Sequence, residues 1–181
     1  VGMSGGVDSS VCATLLKQNG FDVGGVTLNL IENFDETSIA DAKAVCDRLN
    51  IPHFTENLQK QFKEKVIANF SEEYINGNTP NPCIVCNRYI KFGEMLKLAK
   101  ENGYDKIATG HYAQIKKSEN GRYLLLKAED TSKDQTYVLY CLTQEQLARV
   151  EFPLGALSKA QVREIAEQKS LINAKKKDSQ E

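Results

Sequence analysis

Apolar residues recur every three or four positions along several segments of the chain, and short β-rich runs lie between these segments. A stripe of Val11, Leu15 and Leu16 is closed by Asn19 and Gly20, which is typical of an amphipathic helix and its C-terminal end. The same reasoning predicts helices over residues 8–19, 38–49, 59–76, 91–102 and 158–168. It predicts strands over residues 23–30, 51–54 and 106–109.

A β-hairpin is predicted late in the chain. Residues 112–117 and 122–127 flank Asn120 and Gly121, a dipeptide that favours the tight turns of hairpins. Strands that alternate with helices favour an α/β fold with a mainly parallel sheet flanked by helices. The hairpin adds an antiparallel pair to that sheet.

Composition is typical of one folded domain. The chain has 181 residues, of which 41% are hydrophobic and 26% charged. Lys and Arg number 23 and Asp and Glu 24, so the formal charge is −1. This excludes a strongly basic nucleic-acid binder but not a local basic patch. No apolar run reaches the roughly 18 residues that cross a bilayer, and we expect no membrane association.

The cysteines and the two ends of the sequence predict its cellular context. Five cysteines is an odd number in a domain large enough to hold its own core, which favours a reducing, cytoplasmic compartment over a disulfide framework. The sequence begins at Val1, directly before a loop that ought to follow a strand, and ends in the polar residues 178–181. We therefore expect a fragment that is truncated at both ends.

A glycine-rich loop, Gly2 to Ser10 (GMSGGVDSS), precedes the first predicted helix. Glycines let backbone N–H groups approach an anion, the following helix offers the positive end of its dipole, and Ser4, Ser9 and Ser10 add hydroxyl donors. No lysine follows, so the loop fits neither a Walker-type kinase nor a dinucleotide fold. SGGVDSS is similar to the pyrophosphate-binding loop of the N-type ATP pyrophosphatases; a plain glycine turn with a capping side chain is the alternative.

The segment 79–92 carries two cysteines after two prolines. The prolines predict an extended, non-helical stretch over 78–82, with Cys86 just ahead of a helix. A thiol there, near Arg88 and Lys91, is expected to have a depressed pKa and to act as a nucleophile or sulfur carrier. Cys83 lies three residues away, which permits a disulfide or two metal ligands, although one such pair is a weak metal signal. Core positions are predicted for the other three cysteines, Cys12, Cys46 and Cys141.

Several motifs together resemble the bacterial tRNA-specific 2-thiouridylase family. They are GMSGGVDSS, TPNPCxxCNRxIKFG, ATGHYA, GRYLLLKAxDxSKDQTYVLY, LTQEQLA, FPLG and AKKKDSQE, in this order over essentially the whole chain. The resemblance implies a Rossmann-like sheet and residues 1–181 as the ATP pyrophosphatase catalytic domain. The central and C-terminal tRNA-binding domains of the family would be absent.

The resemblance also implies roles for individual residues. Cys86 falls on the catalytic nucleophile, and a second cysteine that carries a persulfide would lie just beyond Glu181. His111 falls on a tRNA-contacting position. The ATP phosphates would be held by Gly2, Met3, Ser4, Gly5, Gly6, Val7, Asp8 and Ser9, and the adenosine by Leu28 and Gly110. The target base would meet Asn81, Pro82 and Cys83, and the tRNA would meet Lys133, Asp134 and Gln135.

The implied reaction is ATP-dependent. The C2 oxygen of the wobble uridine in the tRNAs for Lys, Glu and Gln would be adenylated and replaced by persulfide sulfur, with Mg²⁺ on the phosphates. Many relatives have Asp at the position of Cys83, so a [4Fe-4S] cluster with Cys83 and Cys86 as ligands stays open, and no other metal site is assigned. The partners would be tRNA and a sulfur donor such as a cysteine desulfurase or a sulfur-relay protein, and the protein would be a monomer.

Alternative interpretations stay open at this point. The chain could be an ammonia-using synthetase with the same loop, or could bind ATP or tRNA without turnover. His111 could be a plain loop histidine, and Lys133 to Gln135 an exposed turn. His53 is expected to be structural. The basic run Lys175 to Lys177 could contact phosphate or be a solvated tail.

Overall fold

The computed structural model describes residues 1–32 and 36–176. Its α-helices are α1 (Val7–Gln18), α2 (Glu36–Leu49), α3 (Gln59–Phe62), α4 (Ala68–Ile75), α5 (Pro82–Cys86), α6 (Met95–Glu101), α7 (Gln144–Leu147) and α8 (Lys159–Gln168). Its strands are β1 (Gly25–Asn29), β2 (His53–Asn57), β3 (Ile107–Ala108), β4 (Gln114–Lys117), β5 (Tyr123–Leu126) and β6 (Val150–Glu151). Two π-helical segments, Lys63–Ile67 and Asn87–Glu94, join α3 to α4 and α5 to α6, and a 3₁₀-helix spans Thr136–Leu139.

The first three residues hold the parallel strands together. β1 pairs with β2, and β3 pairs with β6, both in parallel. Met3 N–H donates to the Val26 carbonyl at 2.7 Å, and Gly2 N–H donates to the Ala108 carbonyl at 2.9 Å. The order across the layer is therefore β2, β1, residues 1–3, β3, β6, with the chain order reversing at residues 1–3. In open α/β sheets ligands bind at such a reversal, beyond the carboxyl ends of the strands.

Helices cover this layer and form its cores. Helix α1 is buried along almost its whole length and packs on α8, where Val11 meets Val162 and Ala166 in one cluster. A second cluster gathers Phe92, Leu139 and Phe152 with residues of α6. Both clusters bury apolar side chains against the strands, which is the main stabilising contribution to such a fold.

Most predicted elements are confirmed. Helices α1, α2 and α8 lie where the apolar spacing indicates, and α8 begins with the capping box of Ser158 and Gln161. The hairpin β4–β5 is antiparallel and turns at residues 118–122, with Gly121 at a φ of +85°. None of the described helices is long and apolar enough to cross a membrane.

The prediction for the double-proline segment is wrong at its end. Pro82 is the first residue of α5, so helix begins nine residues before the predicted Lys91. A proline is tolerated there because the first helical N–H has no intrahelical partner. Asn81 provides the cap, since its side-chain oxygen accepts from the Cys83 N–H at 3.0 Å. Helix α2 likewise begins at Glu36, so that Ser38 lies inside it.

The core prediction holds for two of the three remaining cysteines. Cys12 and Cys46 are fully buried, whereas Cys141 is only half-buried. Cys141 Sγ donates to the Ile84 carbonyl at 3.6 Å. All five cysteines are free thiols. His53, as expected, has a structural contact, because its Nε2 is hydrogen-bonded to Thr27 Oγ1 at 2.9 Å.

His111 packs against two members of the second core cluster rather than lying on a loop surface. It is 6% exposed, and its ring lies 5.7 Å from Phe92 and 6.0 Å from Phe152, centroid to centroid. Its Nδ1 is hydrogen-bonded to Thr109 Oγ1 at 2.7 Å. Burial, with a smaller contribution from the charge of Lys91, lowers the pKa of His111 from 6.5 to about 3. The imidazole is therefore neutral at physiological pH.

This burial predicts a pH dependence of stability. The unfolded chain binds a proton at His111 below pH 6.5 while the folded chain does not, so stability is complete above that pH and falls as the pH drops towards 3. The loss is about 1.4 kcal/mol per pH unit for this group. Urea denaturation of the wild type and His111→Gln between these limits measures it. The free energy of unfolding of His111→Gln should fall less steeply with decreasing pH than that of the wild type. His53→Gln, which removes a half-buried histidine, should change this slope less. Equal slopes for His111→Gln and the wild type would contradict the lowered pKa of His111.

Candidate active site

A cavity of about 680 Å³ opens at the reversal point of the sheet. Its wall combines the glycine loop, the end of β1, the residues after β3, one turn of the helix that follows the cysteines, and α8. The lining residues that the sequence predicted are Gly2, Met3, Ser4, Asp8, Ser9, Leu28, Gly110, His111, Lys133, Asp134 and Gln135. Residues that sequence reasoning did not assign to the site include Thr27, Lys91, Thr109, Tyr112 and Lys159.

The conformation of the glycine loop is fixed by hydrogen bonds between its serine hydroxyls and the backbone of Gly6. Ser9 Oγ and Ser10 Oγ donate to the Gly6 carbonyl at 3.1 and 2.9 Å, and the Gly6 N–H donates to Ser4 Oγ at 3.3 Å. Gly5 has a φ of +73°, and a Cβ there would lie 2.6 Å from the Ser38 carbonyl oxygen. Only glycine fits that position. Helix α1 begins at Val7, directly after the glycines of the loop, so the positive end of its dipole lies at the loop. This geometry is typical of anion-binding sites.

Asn173 clamps this loop from the far end of the chain. It is 4% exposed, and its Nδ2 donates to the carbonyls of Gly5 and Gly6, each at 3.0 Å, and to Ser10 Oγ at 2.8 Å. Asn173 itself does not line the cavity. Because these carbonyls face Asn173, their negative ends are turned away from the cavity. Gly5, Gly6 and the buried Val7 thus support the loop from beneath the cavity surface.

Asp8 is neutralised within the wall. Lys159, the first residue of α8, places Nζ at 2.7 and 2.8 Å from the two carboxylate oxygens of Asp8. The Tyr112 hydroxyl donates to Asp8 Oδ1 at 2.9 Å. The ion pair removes most of the repulsion that an isolated carboxylate would exert on an anion in the cavity.

At Gly110, on the other side of the cavity, the backbone after β3 approaches the start of α1 closely. A Cβ at this position would lie 3.0 Å from both the backbone of Asp8 and the amide nitrogen of Ser9. The loop and the residues after β3 therefore touch only because no side chain is present there. His111 follows and presents the cavity with part of a neutral ring.

The triplet Lys133 to Gln135 lies at the cavity rim with its last two members bonded to the fold. Asp134 accepts from the Ala128 N–H at 2.8 Å and from Thr136 Oγ1 at 2.6 Å. Gln135 Oε1 accepts from the Tyr112 N–H at 2.9 Å. Lys133 is the exposed member. The interpretation as a free turn therefore does not describe Asp134 and Gln135, which are half-buried.

The cysteine segment lies beside the cavity and not in its wall. Asn81, Pro82, Cys83 and Cys86 do not line it, although Lys91, further along the same continuous helix, does. Cys86 is 9% exposed and packs in a cluster with Leu58, Val66 and Ile90. The cavity and the cysteine are thus joined by the π-helical segment, a deviation that is frequent at functional sites.

The expected depression of the Cys86 pKa is wrong. Burial raises the pKa of this thiol, the charge of Lys91 offsets part of the rise, and Cys83 adds to it. The physical reason is position. Cys86 lies at the end of α5, inside a helix that continues, and its side chain faces apolar neighbours rather than the helix start. Cys86 is therefore a protonated thiol at neutral pH.

A metal or cluster site is not completed by the residues that the structure describes. Within residues 1–32 and 36–176 no group of three His, Cys, Asp or Glu side chains is placed to hold a metal ion. Cys83 and Cys86 supply two thiols, whereas [4Fe-4S] clusters are held by four cysteines. The described residues therefore do not fit a cluster.

The basic run near the end of the chain is only partly described. Lys176 Nζ lies 2.8 Å from Asp41 Oδ2, so this lysine forms an ion pair with α2. Lys177 and the polar residues 178–181 lie outside the described residues.

Of the side chains that sequence reasoning missed, Thr109 and Tyr112 adjoin Gly110 and His111 and could have been included with them. Lys91 was noted only for its charge near Cys86. Lys159 and Asn173 have no local signal, because their partners lie 151 and 168 residues away.

Comparison with known proteins gives close relatives and more distant structural neighbours. The chain is 50% identical over 192 residues to a tRNA-specific 2-thiouridylase MnmA of Clostridium beijerinckii, and 52% identical over 190 residues to one of Treponema denticola. Both alignments cover 100% of this chain but only 53% and 52% of those proteins. The chain thus spans about half the length of the curated relatives it matches.

Solved structures support the Rossmann-like fold. An NH3-dependent NAD synthetase of Campylobacter jejuni superposes with a TM-score of 0.59 at 18% identity, over 99% of this chain and 67% of that one. An NMN synthetase of Francisella tularensis gives a TM-score of 0.58 at 18% identity, over 98% and 64%. The family model described as tRNA methyl transferase HUP domain matches residues 1–181, and the chain belongs to this family.

Proposed function

We propose that this chain carries the ATP-dependent active site of a tRNA 2-thiouridylase. Its substrate would be the wobble uridine of the tRNAs for Lys, Glu and Gln. The observation that carries the proposal is the glycine loop at the reversal point of the sheet, opening on a cavity whose wall continues into the cysteine-bearing helix. The names of the curated relatives support the same activity.

The cavity would bind ATP through the loop. The cavity-lining part of the loop, with Ser4 and, at the start of α1, Asp8 and Ser9, would meet the phosphates, and Leu28 and Gly110 would lie beside the adenosine. Gly5, Gly6 and Val7 would hold this part of the loop in place. Mg²⁺ prefers one or two carboxylates together with phosphate oxygens, and Asp8 is a carboxylate in the wall that fits this role. The ion would supply charge neutralisation on the phosphates. Lys159 would balance Asp8 before the nucleotide arrives.

The first chemical step would activate the base. The C2 oxygen of uracil attacks the α-phosphorus of ATP, the bond to the bridging oxygen breaks, and pyrophosphate leaves in the loop. The N–H donors and the helix dipole stabilise the charge that develops on the departing pyrophosphate. His111, held neutral by burial, adds no charge to this site.

The second step would transfer sulfur. The terminal sulfur of a protein persulfide adds to C2, and AMP leaves with the original oxygen. The Cys86 thiolate then attacks the carrier sulfur; the S–S bond to the uridine sulfur breaks, and a disulfide joins Cys86 to the carrier cysteine. An external thiol reductant reopens it. Burial raises the pKa of Cys86, so its proton must leave before attack, and Lys91 is the nearby charge that favours the thiolate.

The remaining assignments belong to the same proposal. Asn81, Pro82 and Cys83 would meet the target base, and Lys133, Asp134, Gln135 and His111 the rest of the tRNA. We further propose a cytoplasmic monomer that receives sulfur from a cysteine desulfurase or a sulfur-relay protein. Residues 1–181 would be the catalytic domain, with tRNA-binding domains following in the longer protein.

Replacement of Cys86 by serine tests the reaction. Full-length protein purified without oxygen and loaded with persulfide sulfur by a cysteine desulfurase and cysteine should convert unmodified tRNA, with ATP and Mg²⁺ present, to tRNA that contains 2-thiouridine, detected by mass spectrometry of the digested tRNA. Cys86→Ser should form none, because a serine hydroxyl cannot attack the carrier sulfur and release the 2-thiouridine. ATP binding should be unchanged, since Cys86 lies outside the cavity wall.

Cys141→Ser, which alters a half-buried thiol bonded to the neighbouring Ile84 carbonyl, is the matched control and should retain thiolation. Full thiolation by Cys86→Ser would overturn the role of this residue. AMP release that depends on ammonia and not on tRNA would instead favour a synthetase, and ATP binding without AMP formation would favour a non-catalytic binder.

Replacement of Asn173 tests the loop clamp. Asn173→Ala removes the Asn173 amide donor from the carbonyls of Gly5 and Gly6, although Gly6 keeps the hydroxyl donors Ser9 and Ser10. The loss costs about 1–3 kcal/mol, so we expect the KM for ATP to rise by at least about fivefold. Asn173→Asp should raise it further, because a carboxylate donates nothing and repels phosphate. AMP release at varied ATP measures both. Asn102→Ala, which removes an exposed amide bonded to the Leu98 carbonyl, should leave the KM unchanged; an unaltered KM in Asn173→Ala would refute the clamp.

A further inference from the structure

Two pairs of aromatic side chains are exposed on the surface. Phe70 and Tyr74 on α4 have ring centroids 6.1 Å apart. Tyr137 and Tyr140, on and directly after the 3₁₀-helix, have centroids 6.3 Å apart and are 69% and 67% exposed. Exposed aromatic pairs contribute little to a hydrophobic core. Exposed apolar patches of this kind commonly mark interaction sites.

The two aromatic pairs differ in the charge of the residues around them. Glu72 and Glu73 lie between Phe70 and Tyr74 in the sequence. Beside the tyrosine pair lies a cation: Arg88 directly follows Asn87, whose Nδ2 donates to the carbonyl of Val138, between the two tyrosines, at 2.9 Å. The Arg88 guanidinium also lies 5.2 Å from the centre of the Tyr89 ring.

Tyr89 directly follows Arg88 in the same π-helical segment and is partly exposed. Lys65 Nζ lies 5.7 Å from its ring centre and is also ion-paired with Glu94 at 2.9 Å. Cations over aromatic rings combine electrostatic attraction for phosphate with flat apolar area. The acidic pair on α4 has the opposite character.

The tyrosine pair also lies between the two parts of the site. The 3₁₀-helix directly follows Gln135 in the cavity wall. On its other side it packs on the cysteine-bearing helix, since Asn87 Nδ2 donates to the Val138 carbonyl at 2.9 Å and Cys141 Sγ donates to the Ile84 carbonyl at 3.6 Å. A substrate that reaches from the cavity to the cysteines would pass this surface.

We propose that Tyr137 and Tyr140, with Arg88, form a stacking surface for unpaired RNA bases next to the base that enters the cavity. The inference rests on the proposed function and adds residues that the sequence motifs did not assign. Unpaired bases stack on aromatic side chains and on guanidinium planes, whereas paired bases in a duplex offer no free faces. The partner is therefore a single-stranded loop of RNA.

Binding measurements test this surface without any thiolation readout. Fluorescence anisotropy of the full-length protein is measured with a labelled anticodon stem–loop RNA and with a blunt duplex of the same stem. We expect Tyr137→Ala/Tyr140→Ala to weaken stem–loop binding by about tenfold or more and duplex binding by less than twofold. Tyr137→Phe/Tyr140→Phe keeps both rings and should bind like the wild type. Arg88→Gln should also reduce the salt dependence of binding by about one phosphate contact.

Tyr74→Ala is the matched control, because it removes an exposed, stacked ring from the acidic pair, and it should change neither affinity. The inference is overturned if the double alanine variant binds the stem–loop within twofold of the wild type. It is also overturned if that variant loses stem–loop and duplex binding equally, or if the wild type does not prefer the stem–loop. If the protein prefers the stem–loop, the preference depends on the two tyrosines, and no 2-thiouridine forms, the stacking surface is supported. Only the proposed reaction is then refuted.

Discussion

The arrangement of two backbone carbonyls, those of Gly5 and Gly6, determines what the rest of the structure can do. Asn173, which does not line the cavity, donates to both carbonyls, and the hydroxyls of Ser9 and Ser10 donate to that of Gly6. Ser4, Asp8 and Ser9, in the loop and at the start of α1, border the cavity, an arrangement typical of anion-binding loops. Gly5 supports this with a positive φ and with the Ser38 carbonyl packed where a side chain would be. The loop conformation is thus set by hydrogen bonds within the protein.

Burial controls the titratable groups around the loop. His111 is neutral because it is packed between two phenylalanine rings, and Cys86 is protonated because it is packed among aliphatic side chains. Lys91 is close enough to act on both, lowering the pKa of His111 and opposing the rise in the pKa of Cys86. One cation in the cavity wall therefore acts on both the buried histidine and the thiol.

Local rules failed at the two cysteines for a physical reason. Prolines and the extended geometry they favour indicated a loop, but Asn81 caps a helix in which Pro82 occupies the one position where its missing N–H has no cost. The helix then places Cys86 one turn inside, and its packing against Leu58 and Val66 comes from a different part of the chain. The charge of Lys91, which favours a thiolate, is outweighed by desolvation of the Cys86 side chain.

The sequence by itself determined the alternation of helices and strands, the hairpin turn at Gly121, the capping box of α8 and the glycine loop of residues 2–10 that leads into α1. These features rest on neighbours in the chain, which periodicity and turn chemistry describe. Only the tertiary structure decided that Asn173 holds the loop, that Lys159 neutralises Asp8, and that Cys86 and His111 are buried. Those contacts join residues more than a hundred positions apart or depend on the packing of several elements, and such contacts leave no local pattern.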